Sequence, residues 1–163
     1  MATLNDPLVR QLLEARYIAS LGTHSPGGSI HMVSVWYWFQ EAKIFVATAS
    51  GSRKARNLQT NPAVSLMIDS RNVLASFGTT IVGTAKVVVG EASQKLNEKI
   101  YDKYLSPAAM ADPKVGPVFA AWDDVTIEIT PKSVISWDLR EADQQVFGGS
   151  LERNPTYLLP LER

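Results

Sequence analysis

Apolar residues change their spacing several times along this chain, and each change marks an element. Asp6 followed by Pro7 reads as a helix start, and Leu8, Val9, Leu12 and Leu13 recur at helical spacing to about Ala15. From residue 17 the period drops to two. YIASLGT (17–23) alternates, Pro26, Gly27 and Gly28 turn the chain, and IHMVSVWYWF (30–39) is strongly β-prone. A charged QEAK turn leads into IFVAT (44–48), so 17–48 is expected as a three-stranded antiparallel meander.

TASGSRKARNLQTNP (48–62) then breaks the alternation. Small residues at 50–52 open a short helix, and Asn61-Pro62 ends it. AVSLMI (63–68) reads as a buried strand. The long strand ASFGTTIVGTAKVVVG (75–90) carries Gly78 and Gly83 in its interior, which points to bulges or bends of the kind a barrel needs to close. Ser93 is the expected cap of an amphipathic helix bearing Leu96, Ile100 and Tyr104 on one face. Residues 106–117 look irregular, VFAAW (118–122) reads as a helical turn, and VTIEIT (125–130) with SVISWD (133–138) as a closing hairpin. The tail, 139–163, shows little periodicity but keeps Val146, Phe147, Tyr157, Leu158 and Leu159. It is expected to pack on the barrel or on a second subunit. Repeats and linkers are lacking, so one domain over 1–163 is expected, a small antiparallel barrel with few helices.

Composition narrows the function classes. The chain has 163 residues, with sixteen basic residues against sixteen acidic ones. A nucleic-acid partner is therefore not expected, since such binders show a basic excess or stripe. Cysteine is absent, which excludes disulfides, thiolate metal sites and a cysteine nucleophile. No apolar stretch approaches the roughly 20 residues of a membrane span, and the N-terminus does not read as a signal peptide. A cytoplasmic location without a membrane partner is the expectation. His24 and His31 are the only histidines, and no metal-ligand spacing or nucleophile elbow occurs.

The remaining chemistry lies in 48–57. Cations in the first turn of a helix oppose its dipole by roughly 0.3–1 kcal/mol each, yet Arg53 and Lys54 occupy that turn, with Arg56 one turn later. A helix N-terminus after a glycine-bearing loop is a natural anion site. Arg53 offers a bidentate fork, Lys54 a point charge, and Ser52 and Thr48 hydroxyls. The alternative is a solvated charge run without a ligand. Trp36, Tyr37 and Trp38 in the expected strand 30–39 provide an aromatic wall for a flat ligand, or core packing.

Taken together, helix, ASLGT, Pro-Gly turn, IHMVSVWYW, T-x-x-GSRK-x-x-NL-x-x-NP-x-V-S and VGTA resemble the pyridoxamine 5′-phosphate oxidase-like, FMN-binding split barrels over about residues 8–138. The resemblance implies a six-stranded antiparallel split β-barrel and a symmetric homodimer with FMN between subunits. It implies that Ser52, Arg53 and Lys54 hold the phosphate and that Ala47 and Thr48 lie beside the ribityl chain and ring. His31, Met32, Val33, Ser34 and Val35 would run along the isoalloxazine, and Asn57 would support the phosphate loop. The oxidases proper place a lysine where this chain has Trp36, a glutamine where it has Gly78, and an Arg-x-His pair near the C-terminus, where this chain reads WDLREADQQ. Vitamin B6 oxidation is therefore not expected. The expectation is a flavin-dependent oxidoreductase acting on a small molecule by hydride transfer. The alternatives are a reductase using coenzyme F420, and a non-catalytic flavin- or haem-binding protein. The sequence identifies no catalytic acid or base and no substrate. Trp122, Trp137 and Phe147 are offered as pocket or core residues.

Overall fold

The computed structural model describes residues 2–72, 76–121 and 124–159. One seven-stranded antiparallel sheet dominates, in the order β2-β1-β5-β6-β7-β4-β3. Its strands are β1 (Ala19–His24), β2 (Ile30–Val35), β3 (Trp38–Gln40), β4 (Lys43–Ala49), β5 (Ala63–Asp69), β6 (Phe77–Val88) and β7 (Asp124–Asp138). The edge strands β2 and β3 are joined by Trp36 and Tyr37 alone. Two residues can link the first and last strands of a sheet only if the sheet curls until its edges nearly meet. The fold is thus a split barrel, and its split lies at Trp36.

Two expected strand boundaries move. Residues 30–39 do not form one strand, because 30–35 pairs with β1 while 38–40 pairs with β4. The predicted closing hairpin is one continuous strand, β7, laddered to β6 along its length. Pro131-Lys132 reads as a turn in sequence, but the ladder carries it as a bulge. Gly83 faces Pro131 while Val82 faces Ser133, leaving Lys132 as the extra residue. A Cβ on Gly83 would lie 2.3 Å from the Thr130 carbonyl oxygen, so only glycine permits this approach.

The barrel interior is aliphatic: Leu21, Ile44, Leu66, Ile68, Ile81, Ile127 and Ile129 are fully buried. Helix α1 (Pro7–Glu14) adds Val9, Leu12 and Leu13 to this core. Tyr37, also fully buried, donates its hydroxyl to the Leu12 carbonyl and so pins α1 beneath the split. Asp6 precedes Pro7 as expected, although its carboxylate bonds to Thr3 rather than capping the helix.

The remaining helices are α2 (Arg53–Thr60), α3 (Glu91–Tyr104), α4 (Pro107–Ala111), α5 (Gly116–Ala121), α6 (Leu139–Phe147) and α7 (Ser150–Arg153). Helix α3 starts after Gly90, at φ 71°, so Ser93 is not its cap. Ser93 is buried instead and meets Thr126 Oγ1 at 2.9 Å. The irregular stretch expected at 106–117 contains α4 and the start of α5. The tail is helical where little order was expected, and left-handed Gly148 ends α6. Leu139, Val146, Phe147, Tyr157 and Leu159 remain exposed. None of the described helices is long and apolar enough to cross a membrane.

Candidate functional site

A cleft of about 510 Å³ opens at the split of the barrel. Ser34, Val35 and Trp36 line it where β2 ends, and Ala47, Thr48 and Ala49 where β4 ends. Lys54 from α2, Tyr101 from α3, Phe119 from α5, and Ile18 and Asp124 complete the wall. These chain-distant segments converge because β2 and β4 both terminate at the split and the helices cover its mouth.

The turn from β4 into α2 is built by hydroxyl groups. Thr48 Oγ1 donates to Ser52 Oγ at 2.9 Å, and Ser52 Oγ caps α2 by accepting the Ala55 N–H at 3.3 Å. Such a cap is worth about 1 kcal/mol. Arg56 donates to the Gly51 carbonyl and clips the loop from outside. The backbone N–H groups of Arg53 and Lys54 occupy the first turn, where helix geometry supplies no partner.

Charge in the cleft is sparse. Burial holds the Lys54 ammonium below the usual lysine range, against the attraction of Asp124. The Tyr101 hydroxyl donates to Asp124 Oδ2, and burial, followed by that bond, pushes the phenol upward. The Asp124 carbonyl accepts from Ser93 Oγ at 3.3 Å and from Asn97 Nδ2 at 3.4 Å, which fixes the start of β7 against α3. Trp36 stacks on Tyr104 with ring centroids 5.0 Å apart and planes 2° from parallel. Phe119 lies 6.4 Å from Trp36 and 5.0 Å from Tyr101.

Of the residues singled out in sequence, Ser34, Val35, Ala47, Thr48 and Lys54 line the cleft together. Arg53 sits exposed beside them. Ser52 is engaged as the helix cap. Asn57 is buried behind α2 and donates Nδ2 to Thr23 Oγ1 at 2.9 Å. His31, Met32 and Val33 do not line the cleft. Strand alternation turns Met32 to the outer face of the sheet, 55% exposed, while Val33 packs against the core. Trp137 lies over Gly78, where a Cβ would meet its ring at 2.3 Å. Trp122 lies outside the described residues. Tyr101, Phe119 and Asp124 are lining residues that sequence reasoning did not single out. The aromatic spacing of Tyr101 and Tyr104 on α3 was the one available signal.

The sequence profile of the pyridoxamine 5′-phosphate oxidase family matches residues 6–138. The chain belongs to this family. No curated protein sequence matches it. Among solved structures, the conserved hypothetical protein Rv2991 from Mycobacterium tuberculosis shares 22% identity at a TM-score of 0.71, covering 86% of this chain and 88% of that one. A protein named F420 reductase shares 20% identity at a TM-score of 0.58, over 77% of this chain and 94% of its own. General Stress Protein 26 from Bacillus anthracis shares 17% identity at a TM-score of 0.61, over 82% and 94% respectively. At such identities the likeness establishes the fold. The matched span takes in every named strand, α1 to α5 and the whole described lining of the cleft, and leaves the first five residues and the tail from 139 beyond it.

Proposed function

We propose that the protein is an oxidoreductase that holds FMN in this cleft by its phosphate and, as a homodimer, passes a hydride to or from a small organic molecule. The observation that carries the reading is Lys54, a half-buried ammonium in the wall of a largely apolar cleft. Burial outweighs the attraction of Asp124 at this ammonium, and a phosphate ester would supply the further negative charge that favours it. The same anion would reverse the unfavourable meeting of Arg53 and Lys54 with the α2 dipole.

The donor set fits the group. Lys54 and the first-turn N–H groups of α2 would receive the phosphate, with Arg53 reaching from the rim. Val35, Trp36 and Ala47 give an apolar strip that would position a flat ring and exclude water from it. Bound there, FMN supplies the hydride chemistry, while the chain supplies binding, orientation and a dry surface. The second subunit is argued from the outer sheet face. Ile30, Met32 and Ile135 are 63%, 55% and 58% exposed, with Val82 between them on β6. Exposed apolar residues at both sides of one sheet face, with Gly22 and Ser65 between them, suit a face that a second copy covers.

Absorbance and mass analysis of the ligand released from freshly purified protein test the assignment. Flavin's two visible bands with the mass of FMN support it, as does reduction of the bound flavin by NADH or NADPH. A Soret band would overturn it in favour of haem. Colourless protein that takes up F420 and refuses FMN would overturn it in favour of the deazaflavin, which carries a phosphate suited to the same lysine.

A further inference from the structure

A second cavity, of about 430 Å³, lies beside the cofactor cleft and shares three of its wall residues, Tyr101, Phe119 and Asp124. Its other lining residues are Gln94, Asn97, Glu98 and Asp102 from α3 and Met110 from α4. Drug-sized ligands take up pockets of roughly 300–1,000 Å³, so a cofactor the size of FMN would fill the first cavity and leave the second for the reaction partner. We infer that this second chamber receives the substrate, and that it selects a molecule bearing a cationic nitrogen over a phosphate ester or carboxylate. The inference rests on the FMN reading for its account of which cavity is left.

Two kinds of lining converge on the same chemistry. Tyr101 and Phe119 form an aromatic corner, with centroids 5.0 Å apart and planes at 60°, and ring faces attract ammonium groups. The charged lining around them is all acidic. Glu98 and Asp102 are four residues apart on one face of α3, neither has a lysine or arginine within ion-pair distance among the described residues, and Asp124 sits at the junction with the cofactor cleft. Tyr101 occupies Asp124 Oδ2 and holds that carboxylate in place, while Oδ1 accepts no hydrogen bond from a described residue. Gln94 and Asn97 add amides. An anion entering here would meet three carboxylates without a cation on the chamber wall. Trp36, where the oxidases proper carry a lysine, adds none on the cleft side.

The test uses FMN-loaded protein and two unreactive probes of similar size, benzyltrimethylammonium and benzenesulfonate, titrated by calorimetry with the flavin spectrum as a second readout. The cation is expected to bind about tenfold or more tightly than the anion, with a preference that shrinks between about 0.02 and 0.5 M salt. Its binding should shift the flavin bands, because the two cavities share a wall. Glu98→Gln with Asp102→Asn should remove most of the preference, and Phe119→Leu should weaken the cation alone. Equal binding of the probes, or a preference unchanged in the double variant, overturns the inference. A separate FMN titration keeps the two readings apart: if FMN does not bind but the probe preference persists in the apoprotein, the cofactor assignment falls and the cation site stands. The exposed positions of Glu98 and Asp102 make loss of folding in the double variant unexpected, and circular dichroism checks it.

Discussion

Asn57 Nδ2 donates to Thr23 Oγ1 at 2.9 Å, and both side chains are almost wholly buried. This bond fastens α2 to β1 from behind, so the helix that presents Lys54 is anchored to the barrel. Asn57→Ala leaves a buried hydroxyl without its partner and should cost about 1–3 kcal/mol of stability in chemical denaturation. Affinity for FMN should fall less than stability, because Asn57 does not line the cleft. A variant as stable as the parent would show that water replaces the amide.

The two neighbouring cations should separate in their effects. Arg53→Ala with Lys54→Ala is expected to weaken FMN binding by about 2–4 kcal/mol, as each charge-assisted bond contributes roughly 1.5–3 kcal/mol. Lys54→Ala should account for the larger share, since Lys54 lines the cleft while Arg53 lies at the exposed rim. Melting temperature without cofactor should hardly change. Unchanged FMN affinity in Lys54→Ala would remove the phosphate assignment.

How far the sequence disclosed this site follows from the range of the forces involved. The start of α2 was legible because capping is local: Ser52 and the small residues before it act within one turn. Tyr101, Phe119 and Asp124 were not, because they reach the cleft from α3, α5 and β7 through long-range packing that leaves no local mark. The break at Trp36-Tyr37 was hidden for a similar reason. WYWF is β-prone throughout, and only barrel closure decides where the strand changes partner. Pro131 misled in the other direction, since its turn signal is overruled by pairing with β6 on both sides.

Lys103 gives the protein a pH dependence of known sign. Its Nζ lies 3.9 Å from the Tyr37 ring centroid and donates to the Leu13 carbonyl at 3.2 Å, and burial lowers its pKa from 10.5 to about 8. Between those values the unfolded chain binds the proton more often than the folded one, so this group's contribution rises with pH. Below about 8 the penalty of burying the charge is fully present. The stability of the parent relative to Lys103→Met should therefore improve from pH 7.5 towards pH 10, measured by denaturation of both proteins at each pH. A constant difference would mean that Lys103 is solvated in solution.

If the outer sheet face joins two copies, Met32→Glu with Ile135→Glu should convert the dimer to a monomer in sedimentation velocity, with the far-ultraviolet spectrum preserved. FMN affinity should fall with it if the partner completes the site. A parent protein that sediments as a monomer at micromolar concentration would remove the dimer from the proposal.

The extra residue at Lys132 changes the parity of the β7 positions that look inward. Val125, Ile127 and Ile129 face the core before it, and Val134 after it, while Ile135 faces out. Odd-numbered positions are interior in the first half of the strand and even-numbered ones in the second. Deleting Lys132 alone would make Pro131 and Ser133 consecutive opposite Gly83 and Val82, so the ladder would run on with Val134 still inside and Ile135 still outside. The bulge thus absorbs one inserted residue without turning either half of the strand over, and what it adds is local bend rather than a change of facing.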